Sequence, residues 1–411
     1  MIENKDDLAT LITLENGKPA ADANGEVVYA AGFFEWFAEE APRAYGETIP
    51  ASATTARIST IKEPVGVCAL LTPWNFPAAM ITRKVAPALA AGCTVIVKAP
   101  AETPFSALAL AELGARAGVP PGVLNVVSAS LENTPALGHL LTTDPVIKKV
   151  SFTGSTAVGK LLMKQSSSTL KKLSFELGGN APLIVFDDAD LDTAVQGAIT
   201  SKFRSSGQTC VCANRIYVQS GILAPFSEKF TAAVAAFKLG NGFEKSTTHG
   251  PLVHARAVAK AERHVNDAVA KGATLVQGGK RRPDLGDNFY EPAVLTGMTD
   301  AMAVADEETF GPVAGIFAFK SEQEVVEQAN RVSVGLAAYV FSRDLERVQR
   351  VTEALEVGMI GINVGLVSDV AAPFGGVKES GFGREGSRYG IAEYQVTKML
   401  MVGGMGKPLQ T

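Results

Sequence analysis

From residue 65 onward, short β-branched runs alternate with stretches whose apolar residues recur at helical spacing. Val65–Leu71 reads as a strand, Ala78–Ala91 as a helix and Thr94–Val97 as a compact apolar strand. An Ala- and Leu-rich helix follows from about Pro104 to Ala117. Then come a strand Val123–Val127, a helix near Thr134–Leu141 and a strand Lys149–Phe152 running into Thr153–Gly159 and another helix. This rhythm predicts βαβ units and a mainly parallel sheet, an α/β fold. It restarts near Gly178-Gly179-Asn180-Ala181-Pro182. Leu183–Phe186 reads as a strand, and Asp188 or Asp190 can cap a helix running to about Ser205. Arg215–Val218, helices at about 222–238 and 254–271, Val313–Phe319, Glu322–Arg331 and Leu336–Phe341 make a second α/β set. The boundary falls near residue 177. Ile49–Glu63 alternates weakly and reads as a hairpin outside the first set, and Gln395–Val402 as a lone late strand. Such edges are usually covered, often by another subunit. Gly403–Thr411 reads as a loose tail.

The chain of 411 residues is long enough for two or three domains, and an apolar share of 46% with 19% charged residues fits extensive burial. A net charge of −4 argues against a nucleic-acid partner. No apolar run is long enough for a transmembrane helix. Four cysteines (Cys68, Cys93, Cys210, Cys212) are too few for a disulfide framework, and none of the four histidines sits in a metal-binding pattern, so no metal is expected. Glu3, Asp6, Asp7, Glu15 and Asp22 make the first thirty residues too acidic for a transit peptide. A reducing, cytoplasmic location follows as the default.

Four segments could carry chemistry. In Gly207-Gln208-Thr209-Cys210-Val211-Cys212, Cys210 sits in a Gly-containing loop after a helix, a place for a nucleophile; a small buried apolar residue is the plainer reading. In Phe175-Glu176-Leu177-Gly178-Gly179, Glu176 stands at a strand end among apolar residues. Desolvation there would raise its pKa toward that of a general base; a salt-bridged surface Glu is the alternative. In Thr72-Pro73-Trp74-Asn75-Phe76-Pro77, prolines stiffen the loop around Asn75, whose amide suits an oxyanion donor, or a turn. Phe152-Thr153-Gly154-Ser155-Thr156-Ala157-Val158-Gly159 joins a strand to a helix, where small residues let backbone N–H groups approach a phosphate. The literal GxGxxG at Gly381–Gly386 follows no strand and reads as a loop.

Together these segments resemble the aldehyde dehydrogenase superfamily from about residue 2 to 400. Six motifs occur in family order: PWNFP, FTGSTxVG, FELGG, GQxC, EExFGP at Glu307–Pro312 and PFGGxKxSGxGRE at Pro373–Glu385. GQTCVCANR and Gly365-Leu366-Val367-Ser368 are most similar to succinate-semialdehyde dehydrogenases. The resemblance implies a Rossmann-type cofactor domain (1–48 and 64–177), an α/β catalytic domain (178–372) and a small β oligomerisation element (49–63 and 395–402), with 403–411 as a tail. It implies Cys210 as the nucleophile that forms a thiohemiacetal and, after hydride transfer, a thioester. Asn75 and the Cys210 N–H would hold the oxyanion, and Glu176 would activate the hydrolytic water. NADP or NAD would be bound by Trp74, Lys98, Ala101, Gly154, Ser155, Gly159, Leu177, Glu308 and Phe310. Arg83, Arg204, Ser368 and Phe374 would hold the substrate, the arginines gripping a distal carboxylate. Cys212 is a candidate redox partner of Cys210. The implied activity is oxidation of succinate semialdehyde to succinate by a homodimer or homotetramer. Another aldehyde, or a non-catalytic homologue, is the alternative.

Two departures shape these expectations. Ala101 stands where NAD-preferring relatives carry a Glu for the adenosine 2′-hydroxyl, which favours NADP. Ala129 and Ser130 replace glycines near the adenine. Relatives also carry a further N-terminal segment ahead of the point where Met1 begins.

Overall fold

The computed structural model describes residues 1–407. Its larger sheet has seven strands, in spatial order Thr274–Gln277, Ala293–Thr296, Val313–Phe319, Ala213–Gln219, Ala181–Val185, Ala337–Phe341 and Met359–Ile362. All neighbours run parallel except the Thr274–Gln277 edge. Successive side chains of a strand face opposite sides of its sheet. Leu183 and Val185 accordingly pack into one core with Ile216, Phe226 and Phe341, while Ile184 and Phe186 pack into another with Tyr217, Val258 and Phe317. Central strands with no exposed face are what a parallel sheet covered by helices on both sides requires.

The second sheet has six strands, Gly381–Phe382, Lys172–Glu176, Ile147–Thr153, Val67–Leu71, Val95–Lys98 and Leu124–Val127. It is parallel apart from Gly381–Phe382, which pairs antiparallel with Phe175 and Glu176. The same alternation divides Cys68 and Leu70 from Ala69 and Leu71 between two cores. Helix Ala79–Ala90 follows the central strand and is almost wholly buried, including Arg83 and Lys84. Against it lies the N-terminal helix Ala20–Glu40. The preceding helix Lys5–Asn16 ends at Gly17, whose left-handed φ of 81° closes the helix through its N–H to the Thr13 carbonyl.

The strand expected to stand alone does not. Gln395–Val402 pairs antiparallel along its whole length with Arg57–Pro64, which also pairs with Thr48–Ile49. Distance along the chain hid this pairing. Part of the expected loose tail is also tied, since Met405 N donates to Thr55 O at 2.9 Å; residues 408–411 lie outside the described residues. Gly381–Phe382, read as loop, forms the sheet edge. The short strands at 274–277, 293–296 and 359–362 had no distinct sequence signal, because four residues carry too little alternation to register. Among the described residues, no helix is long and apolar enough to cross a membrane.

One side chain ties the N-terminal helices to the six-stranded layer. The Glu15 carboxylate accepts from Phe105 N at 2.5 Å, Ser106 N at 2.8 Å and Ser106 Oγ at 2.6 Å, capping helix Pro104–Arg116 from outside. Glu15→Gln is expected to lower stability by about 1–2 kcal/mol, the worth of charge-assisted bonds to a helix N-terminus. Urea denaturation checks this, and an unchanged midpoint would contradict the capping role.

Candidate active site

Helix Leu191–Phe203 starts on an Asp190 cap and ends in a tight turn, Arg204–Gly207. Ser205 (φ 52°), Ser206 (φ 55°) and Gly207 (φ 77°) are all left-handed there. For a non-glycine residue this conformation costs about 1–2 kcal/mol. Surrounding bonds hold it: Ser206 Oγ donates to Gly250 O at 3.0 Å, and Gln208 Oε1 accepts from Val253 N at 2.9 Å. Gly207 lies so close to the Gly311 carbonyl that a Cβ would overlap it. The turn delivers Cys210 to the neck between two cavities.

One cavity is a groove of about 440 Å³ lined by Trp74, Gly154, Ser155, Leu177, Glu308 and Phe310. The other is a narrow slot of about 20 Å³ lined by Arg83, Arg204, Ser368 and Phe374, together with Tyr29 and Met80. Cys210 walls both. In the groove, Ser155 Oγ accepts from Val158 N at 3.4 Å and caps helix Thr156–Ser166. Glu308 accepts from Gly179 N at 3.3 Å, and burial raises its carboxyl to about 7. Phe310, at a left-handed φ of 53°, meets Trp74 edge-on at 5.7 Å. Arg256 and Lys260 from helix Ala255–Ala270 also line the groove, neither in an ion pair among the described residues. The sequence had not singled these two out.

Asn75 is buried at the groove's Cys210 end, and its Nδ2 donates to Gln208 O at 2.9 Å. That acceptor fixes which atom is nitrogen, and one N–H remains for a ligand. Burial pushes the Cys210 thiol up to about 12; Glu308 and Glu176 add to this and Arg83 opposes it. Glu176 ends strand Lys172–Glu176, 3% exposed, with Oε2 unpartnered. Desolvation and then the nearby Glu385 charge hold its carboxyl well above the usual range, against Arg83 and Lys84. Glu385 is itself buried, yet it is held below the usual range by Lys84 and Arg83. Lys84 Nζ bonds Glu385 at 2.5 Å and Ser151 Oγ at 2.9 Å. Arg83 Nε lies 2.6 Å from Glu385 Oε2, but the contact is ionic rather than an aligned hydrogen bond, and Arg83 Nη2 is buried with no acceptor. The Arg83 guanidinium also lies 4.1 Å from the Phe374 ring, and that of Arg204 lies 4.9 Å from the Phe76 ring.

Other expected site residues lie elsewhere. Glu176, Lys98, Ala101 and Gly159 wall neither cavity. Lys98 ends strand Val95–Lys98, its pKa lowered by burial against the pull of Glu102. Gly159 is a packing position, where a Cβ would strike Leu177. Cys212 is buried away from both cavities, its Sγ directed at Lys202 O at 3.4 Å, and all four cysteines are free thiols. Lys84, Glu385, Lys18 and Glu26 were missed. Glu26 lies on the buried stripe Ala23, Val27, Ala30 and Lys84 in a buried helix, whereas the turn around Lys18 and the glycine-rich stretch around Glu385 carry no such local signal.

The family model for the aldehyde dehydrogenase family matches residues 1–400. The chain belongs to the aldehyde dehydrogenase family. It is 60% identical to succinate-semialdehyde dehydrogenase [NADP(+)] 1 of Schizosaccharomyces pombe, over 98% of this chain and 80% of that one. It is 58% identical to glutarate-semialdehyde dehydrogenase of Pseudomonas putida, over 98% and 82%. The crystal structure of succinate-semialdehyde dehydrogenase from Burkholderia pseudomallei superposes with a TM-score of 0.96 at 59% identity, over 98% and 83%. As an aldehyde dehydrogenase the protein needs room for a nicotinamide dinucleotide. The groove fits one: a capped helix N-terminus and two cations suit a pyrophosphate, and the Glu308 carboxylate suits a ribose hydroxyl.

A pH-dependent signature follows from Glu176. Its native pKa is raised, so its contribution to stability is intact below the unfolded value near 4.3 and is lost as pH rises through the native value. Glu176→Gln is expected to melt about 2 °C above the parent at pH 8, with the gap closing toward pH 4, while turnover collapses. Thermal melts at both pH values check this; a variant that melts lower at pH 8 would contradict the buried, strained carboxylate.

Proposed function

We propose that this aldehyde dehydrogenase oxidises succinate semialdehyde to succinate with NADP or NAD, through a thioester on Cys210. The observation that carries the reading is the position of Cys210 at the neck between the groove and a slot holding an unsatisfied guanidinium. A buried Nη2 without an acceptor is costly, and a substrate carboxylate would satisfy it. The similar enzymes from S. pombe and P. putida are named for aldehydes that carry a carboxylate at the far end.

In the proposed reaction the Cys210 thiol gives up its proton to water and its sulfur attacks the aldehyde carbon. The free Asn75 N–H and the Cys210 N–H stabilise the alkoxide, a type of donor whose loss typically costs about 3–4 kcal/mol. When bound, the dinucleotide would accept the hydride that leaves the thiohemiacetal carbon, so that a thioester remains on Cys210. Glu176 then takes a proton from water, whose oxygen adds to the thioester carbon, and the thiol leaves. Its raised pKa makes it a stronger base than an ordinary carboxylate. Arg83, Arg204 and Ser368 orient the carboxylate in the slot, with the Phe374 ring packed on Arg83. In the groove, Trp74, Leu177, Gly154, Ser155, Glu308 and Phe310 hold the dinucleotide, with Lys98 and Ala101 toward its adenosine end. Residues 1–48 and 64–177 serve as the cofactor domain and 178–372 as the catalytic domain.

Preference for NADP rests on Ala101, which brings no carboxylate to repel a 2′-phosphate near Lys98; the S. pombe enzyme is named for NADP(+). A homodimer or homotetramer rests on the open face of Gln395–Val402, where Met399 is 58% and Met401 60% exposed. The free thiols fit a cytoplasmic site.

Steady-state kinetics with both cofactors on succinate semialdehyde, glutarate semialdehyde and a neutral aldehyde of equal length test the reading. Arg83→Leu and Arg204→Leu are expected to raise KM for the acid aldehydes by about 10–100-fold each, one charged hydrogen bond's worth, and to leave the neutral aldehyde nearly unchanged. Equal losses on all three would refute the carboxylate assignment. Equal or better kcat/KM with NAD would refute the NADP preference.

A separate measurement tests assembly. Light scattering at micromolar concentration is expected to give a dimer or tetramer mass, and Met401→Lys to shift it toward the monomer. A monomeric parent would refute the interface.

A further inference from the structure

Outside both cavities lies a buried ion pair that the proposed mechanism does not use. The turn after helix Lys5–Asn16 runs Gly17-Lys18-Pro19 into helix Ala20–Glu40. Lys18 Nζ meets Glu26 Oε2 at 2.6 Å, their side chains 2% and 1% exposed. The same Nζ donates to the backbone oxygen of Asn75 at 2.8 Å, and Asn16 Nδ2 donates to the oxygen of Trp74 at 3.1 Å. Two consecutive carbonyls are thus held by one rigid turn. That fixes the peptide planes on either side of the Asn75 Cα and with them the direction of its Cα–Cβ bond. Glu26 acts on the same loop from the other end, since Oε1 accepts from Ala78 N at 2.8 Å and Ala79 N at 3.3 Å, where helix Ala79–Ala90 begins. Lys18 Nζ also lies 4.1 Å from the Phe76 ring, the ring on which Arg204 rests.

The turn is anchored on the nucleophile's side as well. Ala20 N donates to Gly242 O at 2.9 Å, and Gly17 is packed so closely on Pro251 that a Cβ would overlap it. Pro251 adjoins Gly250, whose oxygen holds Ser206 of the Cys210 turn. A buried ion pair is a poor source of stability, because desolvation offsets its Coulomb attraction, whereas a pair with three further directed bonds to one loop is well suited to hold that loop.

We propose that the Lys18–Glu26 pair is a positioning device that aims the Asn75 amide at the oxygen of the reacting aldehyde. This rests on the reading of Asn75 as oxyanion donor. A misplacement of about 1 Å at such a donor costs on the order of 100-fold in rate.

The test is single-turnover formation of reduced cofactor in the full-length protein, measured in the parent, Lys18→Met, Asn75→Ala and the double variant. Lys18→Met is expected to slow this step by about 10–100-fold with KM for succinate semialdehyde within about 3-fold. It should also raise the isotope effect seen with deuterium on the aldehyde carbon. In the Asn75→Ala background the same substitution is expected to cost less than about 3-fold, because the group it aims is gone. Lys18→Met/Glu26→Gln leaves no buried charge unpaired and carries the same measurement if the single variant does not fold. An unchanged rate in a folded variant, or losses that multiply with Asn75→Ala, would overturn the positioning role. If Asn75→Ala alone leaves the rate unchanged, the oxyanion reading fails instead.

Discussion

The hydrogen bond from Asn75 Nδ2 to the Gln208 carbonyl joins the two halves of the active site. Asn75 follows the central strand of the six-stranded sheet, and Gln208 precedes Cys210 in the loop that leaves the seven-stranded layer's helix Leu191–Phe203. Neither half holds a complete set of groups. Cys210 and Arg204 come from one; Asn75, Arg83 and Glu176 come from the other. Because the bond is buried on both sides, breaking it would strand a donor and an acceptor away from water. The distance between sulfur and amide is therefore set by packing of two rigid layers rather than by a flexible loop.

Desolvation then decides what these groups can do. Cys210, Glu176 and Glu308 are each raised by burial, so desolvation works against gathering three negative charges in one place. Glu385 is the exception, kept ionised by Lys84 and Arg83. Its charge adds to desolvation in raising the Glu176 carboxyl above the usual range. Arg83 is placed so that one side faces Glu385 while Nη2 is left without a partner.

Much of this was readable in the chain. Buried strands such as Ala181–Val185 and Ala337–Phe341 are continuous apolar runs, and short motifs with glycine at fixed places mark the Cys210 turn and the capped helix after Gly154. Family resemblance supplied roles for Cys210, Glu176, Asn75 and the two arginines. Tertiary charge pairing was not readable. Lys18 and Glu26 are eight residues apart at a helix start, and nothing local says that they face the loop at Asn75. Glu385 sits in a glycine-rich stretch that reads as loop, yet Gly381–Phe382 pairs with the strand carrying Glu176, which brings Glu385 into the same buried region as that carboxyl. The pairing of Gln395–Val402 with Arg57–Pro64 bridges more than three hundred residues, a separation that no window along the sequence spans.

In the proposed cycle one sulfur carries the acyl group between its formation and its hydrolysis. The most direct measurement is acid quench of Glu176→Gln during turnover of succinate semialdehyde with cofactor, followed by peptide mapping in a mass spectrometer. A succinyl thioester is expected on the peptide containing Cys210, abolished by Cys210→Ser. Reduced cofactor formed with no acyl group on any cysteine, or an acyl group on Cys212, Cys68 or Cys93 instead, would contradict it.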